Sequence, residues 1–312
     1  MNIVAALVRQ RRGRPEVSPE PRAVAADLAR RVRWIEVRAR RLVASRTLGD
    51  YRSVFRGRGI EFSEVREYQP GDDVRLIDWN VTARMGAPYV KKYVEERELT
   101  VILAVDLSAS ASIGSSGKTK AAIAAEVAAL LALAAVANND RAGLLLFTDR
   151  LERYVPPGKG SRHALRIIRD LVSAKPVGKG TDLGAAATFL RRTLRRRSAV
   201  FVLSDFIDPR FDETMRLLAA RHDVVGISVT DPRELDLPDV GLLAVRDAET
   251  GAAATIDTSS ADVRRSYAER AQALAAERRR RLATLGVEEI ALRTDRDYVR
   301  PIARFMERRA RR

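Results

Sequence analysis

Val101-Ile102-Leu103-Ala104-Val105-Asp106-Leu107-Ser108-Ala109-Ser110 is the stretch on which the reading of this chain turns. Its first half is continuously apolar and β-branched at Val101, Ile102 and Val105, the pattern of a short strand buried on both faces. The run ends at a carboxylate, and hydroxyls follow at alternating positions. Open α/β sheets bind ligands outside the carboxyl ends of their strands, and carboxylate and hydroxyl oxygens are the hard donors that Mg²⁺ accepts. The stretch therefore predicts a metal-binding rim of Asp106, Ser108 and Ser110 at the end of a central strand.

Outward from this strand, apolar runs and helical patterns alternate, the signature of a largely parallel sheet. Strands are expected near 99–106, 142–147, 199–204, 223–229 and 287–292. Helices are expected near 118–137, 161–173, 182–196, 211–221, 261–285 and 297–310. Tyr154-Val155 is expected to close an antiparallel edge hairpin on the strand 142–147. The fold class is α/β, a doubly wound and mostly parallel sheet. Residues 1–22, basic and broken by Pro15, Pro19 and Pro21, read as a flexible arm. An amino-terminal helix from residue 23 and a turn-rich extension fill 23–98. The main domain fills 99–312, with an excursion near 236–260.

If Asp106, Ser108 and Ser110 form a rim, neighbouring strand ends must supply more oxygens. Thr181 stands on the glycine-flanked loop Gly178-Lys179-Gly180-Thr181-Asp182, and Asp205 ends the buried run Val200 to Ser204. A bland reading stands beside each: Thr181 or Asp182 as a helix cap, Asp205 as a turn former. The ordered combination of three loops favours the metal rim.

Composition narrows the chemistry. Cysteine is absent and histidine is limited to His163 and His222, so thiolate or histidine-rich metal sites and a cysteine nucleophile are excluded. The 57 Lys and Arg against 41 Asp and Glu give a formal charge of +16, which favours acidic partners. The longest low-polarity run, Ala121 to Ala137, falls short of the roughly 20 residues a membrane helix needs and carries Glu126. A buried helix without a membrane span is expected, in a cytoplasmic protein.

Three rival functions compete. Ser112 to Thr119 approaches the phosphate loop G-x-x-x-x-G-K-[ST], but Ser112 replaces the first glycine and lies well past the strand end. A metal-dependent hydrolase lacks a second carboxylate on the first loop, and neither histidine falls in a motif. Nucleic-acid binding rests on the basic runs at Arg191 to Arg197, Arg278 to Arg281 and Arg308 to Arg312, with few aromatics between them as stacking platforms.

Asp106-x-Ser108-x-Ser110 with the later Thr181 and Asp205 resembles the metal-ion-dependent adhesion site of von Willebrand factor A domains. Upstream, Gly59-Ile60-Glu61-Phe62, Tyr68-Gln69-Pro70-Gly71-Asp72-Asp73-Val74-Arg75, Ile77-Asp78-Trp79 and Ala83-Arg84 are similar to the signature of the bacterial domain-of-unknown-function family 58. By their residue types alone, the charged members of this signature read as an internal salt-bridge lattice. The resemblance implies an A-type fold with Mg²⁺, or Mn²⁺ or Ca²⁺ in its place. Ser108, Ser110 and Thr181 would be hydroxyl ligands, and Asp106 and Asp205 direct or water-mediated ones. It further implies a non-enzymatic adaptor that binds an acidic residue of a protein partner and works with a MoxR-type AAA+ ATPase in complex assembly or maturation. Many relatives carry amino-terminal membrane helices, and this chain shows none.

Overall fold

The computed structural model describes residues 21–44, 61–94, 98–246 and 252–311. Residues 1–20 of the expected arm, the helix end beyond 44 and Gly59-Ile60 of the signature lie outside them, while residues 21 and 22, expected in the arm, already belong to a helix. The described chain separates into two compact units, one of residues 56–99 and one of the remainder. The first helix, α1 (Pro21–Ala44), therefore belongs with the large unit and not with the extension, contrary to the expected grouping of 23–98.

In the small unit, β1 (Glu61–Glu67) and β2 (Tyr89–Val94) pair antiparallel around a 3₁₀ turn, Val74–Leu76, and helix α2 (Trp79–Met85). The signature residues build this connection. Arg66 donates to Asp72 at 2.6 Å, and Asp72 also accepts the Gln69 amide. Asp73 accepts the Arg75 amide, and Asp78 caps α2 through the Asn80 and Val81 amides. Gly71 and Gly86 take positive φ at the turn and at the end of α2, where a side chain is disfavoured. In place of the expected salt-bridge lattice, Asp72 pairs with Arg66, and Asp73 and Asp78 serve as helix caps. Val74, Trp79 and Met85 remain exposed.

The large unit is organised on a six-stranded sheet. Its strands are β3 (Thr100–Asp106), β4 (Arg141–Phe147), β5 (Leu151–Gly158), β6 (Ala199–Leu203), β7 (Asp223–Thr230) and β10 (Glu288–Arg293). A separate hairpin, β8 (Leu242–Arg246) and β9 (Ala253–Asp257), falls within the expected excursion. The sheet order is β10-β7-β6-β3-β4-β5, parallel except for β5, which runs antiparallel at the edge beside β4. This is the expected doubly wound A-type arrangement, with the predicted edge hairpin in place. β3 is central, flanked by β4 and β6, and fully buried from Val101 to Val105.

Helices α3 (Lys120–Ala137) and α4 (Ser161–Val172) are followed by α5 (Leu183–Thr193), α6 (Asp212–Arg221), α7 (Ala261–Thr284) and α8 (Val299–Ala310). α5 and α6 close one sheet face through Leu183, Leu190, Phe211 and Met215, with Leu282 of α7 in the same cluster as Ile102, Phe147 and Val200. α3 packs against the sheet, and α1 and α4 cover it. That placement explains its composition: an all-round apolar helix is stable in water only when covered on all sides. Among the described residues α3 alone is long and apolar enough to cross a membrane, with mean hydropathy 1.9, and 72% of it is buried inside the fold.

Candidate functional site

A doubly wound sheet has a switch point where consecutive crossovers leave in opposite directions, and a crevice opens there beyond the strand ends. Here the chain leaves β3 toward β4 and leaves β6 toward β7, so the switch point lies between β3 and β6. Val105 pairs with Leu203. The next residues on the two strands, Asp106 and Ser204, consequently meet at the crevice. Ser204 Oγ donates to Asp106 Oδ2 at 2.7 Å, and the Ser108 amide donates to Asp106 Oδ1 at 2.8 Å.

All of the oxygen residues named from the sequence converge here. Thr181 Oγ1 donates to Asp106 Oδ2 at 3.3 Å, Ser108 Oγ and Ser110 Oγ lie 3.2 Å apart, and Ser110 Oγ donates to Asp205 Oδ2 at 2.7 Å. Asp106, Ser108 and Ser110 are buried. The pocket they line with Lys120 and Asp205 is about 20 Å³, enough for one water-sized occupant.

Three supports hold the loops in register. The Thr181 loop is fixed by Glu152, which accepts the Val177 and Gly178 amides at 3.0 and 2.8 Å and the Thr148 hydroxyl at 2.8 Å. It is tied to the first loop where the Ala109 amide donates to the Lys179 carbonyl at 2.9 Å. A Cβ at Gly178 would collide with the side chains of Asp149 and Thr148, so any larger residue there requires those side chains or the loop to move. On the third loop, Phe206 takes φ 58°, a conformation disfavoured for a bulky residue. Its ring lies over Gly226 of β7, where a Cβ would come within 3.0 Å of it. The strained turn at Phe206 directly follows the rim residue Asp205.

The sequence reading missed Ser204, Lys120 and Glu234. Ser204 carried a faint signal as the residue between a buried strand and an acid. Lys120 and Glu234 carried none, because they meet only through the fold. Lys120 is buried at the start of α3, with Nζ 3.1 Å from Asp205 Oδ2 and 2.9 Å from Glu234 Oε1. Glu234 also accepts the Asp231 amide at 2.8 Å.

The electrostatics follow from this arrangement. Burial, then the charge of Asp205, raise the Asp106 carboxyl to about 6, against the pull of the Ser204 and Ser108 hydrogen bonds. Burial also opposes ionisation of Asp205, but the Lys120 ammonium and the Ser110 hydroxyl outweigh it and hold this carboxyl below its usual range. Burial opposes the Lys120 charge, and Asp205 and Glu234 overcome it, so the lysine pKa is raised. When ionised, Asp106, Asp205 and Glu234 against the single ammonium of Lys120 leave two negative charges in the cluster. That excess matches one divalent cation. The donor set, all oxygen and rich in hydroxyls, suits Mg²⁺ better than a soft metal. Among the described residues no three His, Asp or Glu side chains gather as a metal cluster, so any cation here would depend on the hydroxyls as well.

The rivals fare worse in three dimensions. The phosphate-loop lookalike is stapled down: the Ser115 amide and hydroxyl both donate to Asp231, and Ser116 donates to Thr294 at 3.1 Å. Lys118 is paired with Glu126 at 2.6 Å, and Thr119 caps α3 through the Ala122 amide. His163 Nε2 lies 2.9 Å from the Ala142 carbonyl oxygen, and His222 is buried at the end of α6; neither reaches the rim. Part of the basic surplus is internal. Arg278 pairs with Glu289, Arg281 with Asp212, and Arg309 with Asp223 and Glu288.

Comparison with known proteins agrees with the upstream signature. An uncharacterized protein of Mycobacterium tuberculosis, Rv1480, is 36% identical over 287 residues, covering 91% of this chain and 90% of its own. A shorter uncharacterized protein of Mycobacterium avium, MAV169, is 37% identical over 160 residues, covering 50% of this chain and 94% of its own. Among solved structures, BatB from Bacteroides thetaiotaomicron superposes with a TM-score of 0.44 at 16% identity, over 69% of this chain and 100% of its own. The family profile described as "Protein of unknown function DUF58" matches residues 64–277, which include the signature from Tyr68 onward, β3 and every rim residue, and the chain belongs to that family.

Proposed function

We propose that this chain is a protein-interaction adaptor whose rim holds Mg²⁺ and takes a carboxylate of a protein partner. The supporting observation is that Asp106, Ser108, Ser110 and Asp205 line a pocket with room for one small occupant, with Thr181 joined to them through its hydrogen bond to Asp106. When bound, the cation supplies a Lewis-acid centre able to accept an external oxygen ligand. The protein's part is to hold hydroxyls and carboxylates ready around it. Ser204 fixes Asp106, Ser110 and Lys120 fix Asp205, and Glu152 fixes the loop of Thr181.

The reading as an adaptor without catalysis follows from the resemblance of the motifs, and neither histidine of the chain reaches the rim to serve as a general base. The partner is expected to be a MoxR-type AAA+ ATPase acting in complex assembly, which follows from the resemblance of the motifs; the cytoplasm is the compartment that suits a cysteine-free chain. The basic surplus of the chain would speed encounter with an acidic partner.

Titration calorimetry with Mg²⁺, on the wild type and on Asp106→Ala, tests the site. Affinity capture with Mg²⁺ or with chelator then tests its use. The expected result is Mg²⁺ binding lost in Asp106→Ala, and capture of an AAA+ ATPase that needs both the metal and Asp106. The same partners in every condition would overturn the reading.

A further inference from the structure

A second cavity adjoins the rim. It measures about 670 Å³ and lies between α1, the start of α3 and the end of α4. Its walls are mostly apolar: Trp34 and Ile35 on α1, Ala122 and Ala125 on α3, and Val172 and Pro176 on the far side. The cavity exists because α3 presents alanines where larger side chains would meet α1. Its size falls in the range of about 300–1,000 Å³ typical of sites that bury a ligand. Ser108 and Ala111 line both this cleft and the small rim pocket, so the two adjoin across one loop.

The charge around the cleft is one-sided. Arg30 and Lys179 line it. Trp34, 49% exposed on its wall, has the Arg38 guanidinium and the Lys118 ammonium each 5.1 Å from its ring. The one acid in the lining, Glu126, is paired with Lys118 at 2.6 Å and lies 3.6 Å from Arg38. An apolar floor under a basic rim suits an occupant with an apolar side chain and neighbouring negative charge.

We propose that this cleft is the specificity pocket of the adhesion site. It receives a bulky apolar side chain of an acidic partner segment whose neighbouring carboxylate reaches the rim. The assignment rests on the metal-bridged reading above. It adds which segments are chosen: an Asp or Glu with Leu, Met, Phe or Trp within one or two residues of it. The metal would select a carboxylate of any protein, and the cleft would distinguish among them.

The test is selection of a phage-displayed library of random dodecapeptides on the full-length protein with Mg²⁺, followed by fluorescence anisotropy with the enriched peptides. Enrichment of an acid beside a bulky apolar residue is expected. Ala125→Phe, which fills the cleft, should weaken the best peptide at least tenfold, as should exchanging its apolar residue for Ser. Ala174→Arg, on the opposite wall, is the second variant should Ala125→Phe lower the melting temperature. Failure to enrich any peptide, or affinities unchanged in both variants, overturns the cleft assignment. Loss of binding on chelation with indifference to both cleft variants also overturns it and leaves the metal-bridged reading standing. Loss in the cleft variants with indifference to chelation and to Asp→Asn in the peptide upholds the cleft as a peptide site and removes the metal-bridged reading instead.

Discussion

Lys120 Nζ stands 3.1 Å from Asp205 Oδ2, so a buried ammonium neutralises one of the two acids of the candidate rim. The same nitrogen lies 2.9 Å from Glu234 Oε1. A divalent cation at the rim would therefore share Asp205 with an internal cation. Removing one partner of a buried ion pair costs about 3–5 kcal/mol, because the other charge is left uncompensated. Lys120→Met is expected to lower the melting temperature sharply in chelator, and Mg²⁺ should restore more stability to it than to the wild type. Thermal melts of both proteins with and without Mg²⁺ read this out; equal Mg²⁺ shifts would argue against a cation beside Asp205.

Gly178 is the hinge of the Thr181 loop in a steric sense, since its missing side chain lets the loop lie against Thr148 and Asp149. Gly178→Ala forces those groups or the loop to move, a strain of about 1–3 kcal/mol. It should weaken Mg²⁺ binding by calorimetry while leaving the far-ultraviolet circular dichroism unchanged. Intact binding with full stability would show that the loop has room to shift.

His222 offers a pH dependence remote from the rim. Burial, then the charges of Arg221 and Arg197, lower its imidazole from 6.5 to about 4. The unfolded chain takes up this proton first as pH falls. Stability from this residue is thus complete above about pH 6.5, declines as pH falls toward 4, and is flat below. Denaturant melts across that window should show His222→Leu with a shallower pH slope than the wild type. Parallel slopes would mean that the histidine is solvated in the folded state.

The phosphate-loop lookalike gives a fourth expectation. Ser115 and Ser116 are tied to Asp231 and Thr294, and Lys118 to Glu126. ATP with Mg²⁺ should produce no more thermal stabilisation than Mg²⁺ alone, and Lys118→Ala should leave that result unchanged. A nucleotide-dependent shift lost in Lys118→Ala would restore the NTPase reading.

Most of the fold was legible before any coordinates. The apolar runs around Val101, Leu144, Val200 and Val225 each became a parallel strand, since full burial of both faces demands unbroken apolar sequence. Tyr154 and Val155 were correctly placed on the antiparallel edge. The oxygen residues Asp106, Ser108, Ser110, Thr181 and Asp205 were legible for a local reason. Each sits at a strand or helix end, where the period of buried residues breaks into polar ones. The membership of α1 in the large unit was not legible, because an amphipathic helix announces an apolar face without naming what covers it.

The sequence by itself determined the doubly wound sheet, its central strand and the oxygen donors at the strand ends, because strand burial and loop chemistry are written in contiguous residues. Only the tertiary structure decided that Lys120 and Glu234, 114 residues apart, share a buried charge cluster with Asp205. It alone decided that α1 and the alanines of α3 leave a cleft open beside Ser108. Charge pairing and empty volume depend on which elements the sheet order makes neighbours, and no local pattern of residues encodes that.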